Sequence, residues 1–290
     1  MRVLVTGAGG FLGGHIARRL AEGGFEVVAA TRTSPVEPPA SPAAASRFRV
    51  VAYELAGTTP LPACEAIVHT AATSAWAGIS VERMLGDNVA ATQALVRQAL
   101  EAKVSAFVFC SSISAFGRIS VPALTEAEPS VDVDAYGLTK LLGEKLLQES
   151  AGVLPSLSIR LPAVIGRGSK RNWPSEVLRK LKAGAPLEFF NPDAPFNNAV
   201  HESDVAALVG AALDRGLSRA EMVILGCAGR TSIAEAVQTI ADAIGTRSQI
   251  SARRSDRSAF LIDSSKAQLT FSFAPMEILA ALRQFVSDSS

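Results

Sequence analysis

Cysteine, histidine and aromatic residues are scarce in this chain, and charge of neither sign prevails. Among its 290 residues are three cysteines and three histidines. Cys64, Cys110 and Cys227 are odd in number and far apart, with no CxxC pair and no histidine at ligand spacing. That pattern argues against a disulfide framework or a metal site and reads the three thiols as reduced, mostly buried small hydrophobes. Lys plus Arg total 28 against 27 for Asp plus Glu, a net +1, so no global field attracts nucleic acid or an anionic membrane. Uncharged runs such as residues 66–81 stay under the roughly 18 apolar residues of a membrane span and carry polar interruptions. Strand-like residues begin at Arg2, leaving no room for a cleavable leader. The expectation is a cytoplasmic protein without metal, nucleic-acid or membrane partners. With 48% hydrophobic and 19% charged residues the composition is that of a folded globular chain.

Apolar β-rich runs alternate with helical periodicity. Arg2 to Thr6, Phe25 to Ala30, Glu65 to Thr70 and Val104 to Ser111 read as strands, and Phe11, Leu12, Ile16 and Leu20 recur at helical spacing. Val81 to Ala102 reads as one long helix, Asp134 to Glu149 as another, and Leu154 to Leu161 as a strand stopped by Pro162. Such alternation predicts an α/β protein with a parallel sheet covered on both faces. Ser34 to Ser46, dense in Pro, Ser and Ala, reads as an exposed loop. Beyond Gly166 the alternation loosens into shorter elements, with helices near Ser175 to Lys182, Ser203 to Asp214 and Ser232 to Ile244.

The first strand runs into Thr6-Gly7-Ala8-Gly9-Gly10-Phe11-Leu12-Gly13 and then into a helix. Gly7 permits a tight turn, Gly10 lets backbone approach a pyrophosphate, and Gly13 allows close helix–sheet packing, while the helix N-terminus supplies amides and a positive dipole. The spacing is GxxGxxG, with Leu12 where GxGxxG would place its last glycine. A purely structural glycine turn is the alternative. At the end of the second strand stands Ala30-Thr31-Arg32, with no acid for ribose hydroxyls. Arg32 can pair with a 2′-phosphate, which favours NADP over NAD, unless it is a solvated loop cation.

Tyr136 precedes Lys140 by four positions in a helical segment, placing both on one face. Bringing a phenol from about pKa 10 towards 7 takes about 4 kcal/mol of phenolate stabilisation, which an adjacent ammonium together with a positive nicotinamide can supply. Lys140 can also hold a nicotinamide ribose through its three donors. Taken alone, Tyr-x-x-x-Lys is a weak motif.

With the glycine turn at one end and Tyr136 and Lys140 after the fifth strand, the chain resembles the extended short-chain dehydrogenase/reductase family, the NAD-dependent epimerases and dehydratases. The resemblance includes Val68-His69-Thr70-Ala71-Ala72, Asn88, and Phe109-Cys110-Ser111-Ser112-Ile113-Ser114-Ala115-Phe116-Gly117. It implies a catalytic set of Ser112, Tyr136 and Lys140, with Ser111 and Ser114 as rivals of Ser112 for the substrate oxygen. It implies cofactor contacts at Gly7, Gly9, Gly10, Phe11, Leu12, Gly13, Arg32, Thr70, Ala71, Ala72 and Asn88. Glu54 and Leu55 are placed beside adenine, and Pro162 and Val164 against nicotinamide; these four are packing positions as much as binding ones. His201-Glu202-Ser203-Asp204 resembles a segment that holds the second lobe together, giving His201 a structural role.

Departures concern the substrate. Asn197 stands where many nucleotide-sugar members carry a diphosphate-clamping Arg, so Arg253, Arg254 or the basic loop around Arg171 must supply any clamp. Those cations are explained about as well by solvation. No acidic pair follows Ser112, which disfavours dehydration. Altogether the resemblance implies a doubly wound Rossmann sheet over residues 1–165, and over 166–290 a smaller, partly interleaved substrate lobe. The implied function is NAD(P)-dependent epimerase or reductase chemistry on a nucleotide-sugar or keto-sugar, in a possible homodimer. The alternatives are an NADPH-dependent carbonyl reductase for a non-sugar substrate and a non-catalytic NADP sensor, a role reached by relatives that lost the Tyr and Lys retained here.

Overall fold

The computed structural model describes residues 1–57, 59–74, 78–256 and 258–289. It divides into two compact units of three segments each. The first comprises Met1–Arg118, Pro129–Arg160 and Val205–Val223; the second comprises Ile119–Glu128, Leu161–Asp204 and Ile224–Ser290. A division at 165/166 therefore leaves residues 119–128, 161–165 and 205–223 on the opposite side from the unit they pack in.

Five strands open the first unit: β1 (Arg2–Thr6), β2 (Glu26–Thr31), β3 (Phe48–Ala52), β4 (Ala66–His69) and β5 (Ala106–Ser112). Across the seven-stranded sheet the order is Ala220–Ile224, Ser156–Leu161, β5, β4, β1, β2, β3. β1 pairs in parallel with both β2 and β4, β2 with β3, and β4 with β5. The chain thus winds outward from β1 in both directions, the doubly wound arrangement, and the switch falls between β1 and β4. Helices on both faces explain why β1, β4 and Ser156–Leu161 are buried nearly end to end, although Ser156–Leu161 alternates apolar residues with Ser156, Ser158 and Arg160. The edge strand β3, with Val50 exposed, lacks such burial.

Helix α1 (Phe11–Glu22) buries Gly13, Ile16, Ala17 and Leu20 at helical spacing and ends at Gly23. The loop expected over residues 34–46 contains one helical turn, Pro42–Ala45. The expected continuous helix over 81–102 is instead broken into Val81–Met84, a π-helical turn at Leu85–Ala90, and Ala91–Glu101. Side chains account for the break. The Thr73 hydroxyl donates to Asp87 Oδ2 at 2.6 Å, and Asn88 exchanges hydrogen bonds with the Thr73 backbone at 2.7 and 2.9 Å. Both side chains are thereby drawn to the segment after β4, and the wider turn lets two successive residues face it.

In the second unit, Ala163–Ile165 pairs in parallel with Ala199–His201, and Leu187–Phe190 with Ile250–Arg253. Helices Trp173–Lys182, Ile233–Ile244 and Ile278–Asp288 surround a core of Val177, Leu181, Val237, Ile240, Leu282 and Phe285. Their ends are specified locally. Asn172 caps the first through the Ser175 amide at 2.9 Å, and Ser232 caps the second through the Glu235 amide at 3.0 Å. His201 bonds Ser203 through Nδ1 and Asp288 through Nε2, at 2.8 and 3.1 Å. Ligand atoms of His201, Glu202 and Asp288 lie within 4.8 Å of one another, but both ring nitrogens are already engaged within the protein. Among the described residues no helix is long and apolar enough to cross a membrane.

A buried ion pair ties the Ala135–Glu149 helix to the sheet. Arg160 meets Glu144 with two bonds of 2.9 and 2.7 Å, and its guanidinium lies 4.1 Å from the centroid of Phe116. Removing one partner leaves a buried charge alone. Arg160→Met is expected to lower the unfolding free energy by about 3–5 kcal/mol in urea denaturation, and the double variant with Glu144→Gln to recover part of that loss.

Candidate active site

The β1–α1 turn shows why glycine is needed. Gly7 adopts φ +73°, and a Cβ there would stand 2.7 Å from the Ala71 amide nitrogen. A Cβ on Gly13 would collide with the Gly7 carbonyl and the Thr70 hydroxyl. These contacts draw α1 against the ends of β1 and β4. The helix has no side-chain cap at Gly10, so its first-turn amides are left to an anion.

Beside this turn lies a cavity of about 360 Å³. Gly7, Gly9 and Gly10 form one wall, Ala30 to Ser34 another, and Tyr53 to Ala56, Thr70 to Thr73, Gly86, Asp87 and Ala91 most of the rest. Of the expected cofactor residues it gathers Gly7, Gly9, Gly10, Arg32, Glu54, Leu55, Thr70, Ala71 and Ala72. The glycine cradle, the uncapped helix start and the adjoining cleft fit a dinucleotide. Phe11 and Leu12 open α1 and are half-buried. Asn88 is elsewhere engaged: besides Thr73, its amide donates to Thr139 Oγ1 at 3.0 Å.

The Ala135–Glu149 helix presents Tyr136, Lys140 and Glu144 as one stripe at intervals of four. Asp134 caps it through the Gly137 amide at 2.7 Å. Its first turn seats on the Ser112–Ser114 turn so closely that a Cβ on Gly137 would collide with the Ser114 carbonyl, and a Cβ on Gly143 would stand 2.6 Å from Phe109. Lys140 is buried and donates to the Cys110 carbonyl at 2.8 Å. Ser111 is buried and donates to Glu144 at 2.5 Å, so its hydroxyl is committed to structure. Ser112 is half-buried, and its hydroxyl donates to Ser114 Oγ at 3.1 Å. Of the three serines, Ser112 and Ser114 keep their hydroxyls beside the Tyr136 turn. The described lining of the 360 Å³ cavity stops short of Ser112, Tyr136 and Lys140.

Burial dominates the electrostatics. It pushes the Tyr136 phenol up to about 12, with Cys110 and Asp134 adding to the rise. The Lys140 ammonium, expected to act on that phenol together with a nicotinamide, is bound to the Cys110 carbonyl and lies 5.9 Å from the tyrosine ring centroid. Burial also lowers Lys140, to about 8, against the opposing pull of Cys110 and Glu144. His69, buried and near Lys140, falls to about 3 and is neutral. Since the Thr92 hydroxyl donates to the Asn88 carbonyl, it must accept from His69 Nε2–H at 2.9 Å, which leaves Nδ1 to accept from Thr6 at 2.7 Å.

The remaining expected substrate and nicotinamide residues belong to the second unit. Pro162 and Val164 are half-buried at and beside the Ala163–Ile165 strand. Asn197 is buried and bonds the Ile262 backbone at 2.8 and 2.9 Å. Arg253 pairs with Glu188 at 2.7 Å, and Arg171 is exposed in the left-handed conformation at φ +63°. Three residues that matter here escaped sequence reading: Asp87, Glu144 and Arg160. Only Glu144 carried a sequence signal, being the third member of the Tyr136–Lys140 stripe.

The doubly wound sheet and its glycine cradle define a dinucleotide-binding α/β protein. The sequence profile of the NAD dependent epimerase/dehydratase family matches residues 3–226, and the chain belongs to that family. It is an enzyme of the epimerase/reductase type within the extended short-chain dehydrogenases. A Streptomyces dTDP-4-dehydro-6-deoxy-D-allose reductase is 28% identical over 97% of this chain and 94% of its own. A Vibrio cholerae UDP-glucose 4-epimerase is 28% identical over 66% of this chain and 58% of its own. The structure of UDP-glucuronic acid 4-epimerase from Bacillus cereus in complex with NAD matches with a TM-score of 0.83 at 22% identity, covering 99% and 98% of the two chains.

The chain has two tyrosines, and burial raises both, Tyr53 as well as Tyr136. Phenolate absorbance of the native protein should therefore show a step near pH 12 that is missing in Tyr136→Phe. In the unfolded chain the phenol titrates near pH 10. The stability that Tyr136 contributes is thus fully present below pH 10 and lost as pH rises through about 12.

Proposed function

We propose that the protein carries out reversible hydride transfer at a carbinol carbon of a nucleotide-sugar, as an epimerase or a keto-sugar reductase. The observation that carries this reading is the seating of the Tyr136–Lys140 helix face on the Ser112–Ser114 turn. Tyr136, held protonated by its burial, gives its phenolic proton to a substrate carbonyl oxygen, and takes one from the hydroxyl in the opposite direction. Ser112, oriented by Ser114, holds that oxygen. Lys140, fixed by the Cys110 carbonyl, places a positive charge and its remaining donors beside the tyrosine. A nicotinamide dinucleotide, when bound, supplies and accepts the hydride. Gly7, Gly9, Gly10 and the start of α1 would hold its phosphates, and Glu54 and Leu55, which also line the cavity, would lie beside its adenine. Arg32 in the cavity wall is the residue that favours NADP; the match to the family supports NAD.

The nucleotide-sugar assignment is supported by what the relatives named above act on. A second reading, reduction of a non-sugar carbonyl, is favoured by one observation: Asn197 is tied to backbone and Arg253 to Glu188, so neither is left as a ready diphosphate clamp. Leu138 and Leu142, exposed four apart on the outer side of the Ala135–Glu149 helix, support a homodimer through that helix.

Turnover with UDP- and dTDP-linked sugars and 4-keto-sugars, followed by product analysis, tests this reading. Tyr136→Phe is expected to lower kcat by about 10²- to 10⁴-fold while dinucleotide binding survives. Full activity in Tyr136→Phe would refute the assigned chemistry, and turnover of simple ketones with none of nucleotide-sugars would favour the second reading.

A further inference from the structure

The end of β2 offers a base and no acid, yet the folded cavity contains an acid beside that base. Arg32 Nη1 lies 3.8 Å from Asp87 Oδ1, and both residues line the cavity. Asp87 arrives from the π-helical turn Leu85–Ala90, 55 residues further along the chain, so no local pattern at β2 announces it.

We propose that Asp87 is the residue that sets the choice of dinucleotide, offsetting Arg32 so that the cavity favours a free ribose hydroxyl over a 2′-phosphate. The inference rests on the reading of this cavity as the adenosine end of the cofactor site. Three observations support it. The carboxylate is fixed rather than loosely solvated: Oδ2 accepts from the Thr73 hydroxyl at 2.6 Å and from Arg83 Nε at 3.4 Å, and only a quarter of the side chain is exposed. These partners hold its pKa below the ordinary carboxylate range, Thr73 most strongly, so it is ionised at neutral pH.

The second observation concerns the charges of the cavity as a whole. Its described lining holds one cation, Arg32, and two carboxylates, Asp87 and Glu54. Arg83 pairs with Asp87 and points a largely exposed side chain outward, 61% accessible. A phosphomonoester carries a charge between about −1.5 and −2 near neutral pH, so a 2′-phosphate at Arg32 would meet Asp87 as a like charge across a few ångströms. A ribose hydroxyl meets no such opposition and can donate to a carboxylate. The third is geometric. Arg32 is 57% exposed and already turned towards Asp87, so binding a phosphate with its planar fork requires leaving the carboxylate or sharing the guanidinium with it.

The test is binding of NADH and NADPH, by nicotinamide fluorescence or calorimetry, to the full-length protein and three variants. The wild type should bind NADH more tightly than NADPH. Asp87→Asn, which keeps an acceptor for Thr73, should move the affinity ratio towards NADPH by about tenfold or more. Asp87→Glu, keeping the charge, should leave the ratio within about threefold, and adding Arg32→Ala to Asp87→Asn should cancel the gain. An unchanged ratio in a folded Asp87→Asn protein overturns the inference while leaving the cofactor reading intact, as does tighter binding of NADPH by the wild type. Binding of neither dinucleotide by the wild type overturns both.

Discussion

Two charges removed from water, Glu144 and Arg160, hold the Ala135–Glu149 helix in register with the sheet. Burial of an ion pair costs several kcal/mol per charge in desolvation, and only close, multiply bonded geometry offsets that. Here the geometry is two-pronged, Ser111 adds a third bond, and Phe116 covers the guanidinium. Because Glu144 lies one turn beyond Lys140 and two beyond Tyr136, the pair fixes the helix along its axis and about it. Any slide of the helix would break the Glu144–Arg160 contact before it moved the phenol far. The same bonds commit the Ser111 hydroxyl to structure and, among the described residues, leave those of Ser112 and Ser114 bonded only within their own turn.

The buried ammonium of Lys140 has a comparable effect on its surroundings. It is satisfied by a backbone carbonyl of β5 and lies 5.0 Å from the Phe109 ring centroid, and its field helps keep His69 neutral. A neutral His69 is what allows the Thr6–His69–Thr92 bridge to tie β1 and β4 to the helix that follows the π-helical turn. The glycine turn and the Tyr136–Lys140 helix are in this way anchored to adjoining strands of one sheet.

Much of the first unit was legible because its signals are local. A glycine cluster between a strand and a helix, unbroken apolar strands and a Tyr–Lys pair at helical spacing each survive without knowledge of the rest of the fold. The doubly wound sheet and the α/β class followed from them. What was not legible depends on distant partners. The short strands of the second unit, two to four residues long, are too brief for periodicity to register. The motif shows Lys140 beside Tyr136 but not the burial that raises the phenol in the protein alone. Arg32 was read without Asp87, and Arg253 without Glu188, since both acids come from other segments. Asn88 carried a family expectation of cofactor contact, whereas its side chain fastens Thr73 to Thr139.

The π-helical turn at Leu85–Ala90 also acts as a phase shifter. An α-helix advances about 100° per residue, so one residue of widening rotates everything on one side of it by roughly that angle relative to the other. The Ala91–Glu101 helix can therefore keep Leu95, Val96 and Ala99 on the core while Asp87 and Asn88 turn to the segment after β4. Removing a single residue here would restore a regular helix and force a choice between those two faces. The length of this segment, as much as its composition, is under constraint, and tolerance to insertion or deletion should be lowest where the chain looks most like an ordinary helix.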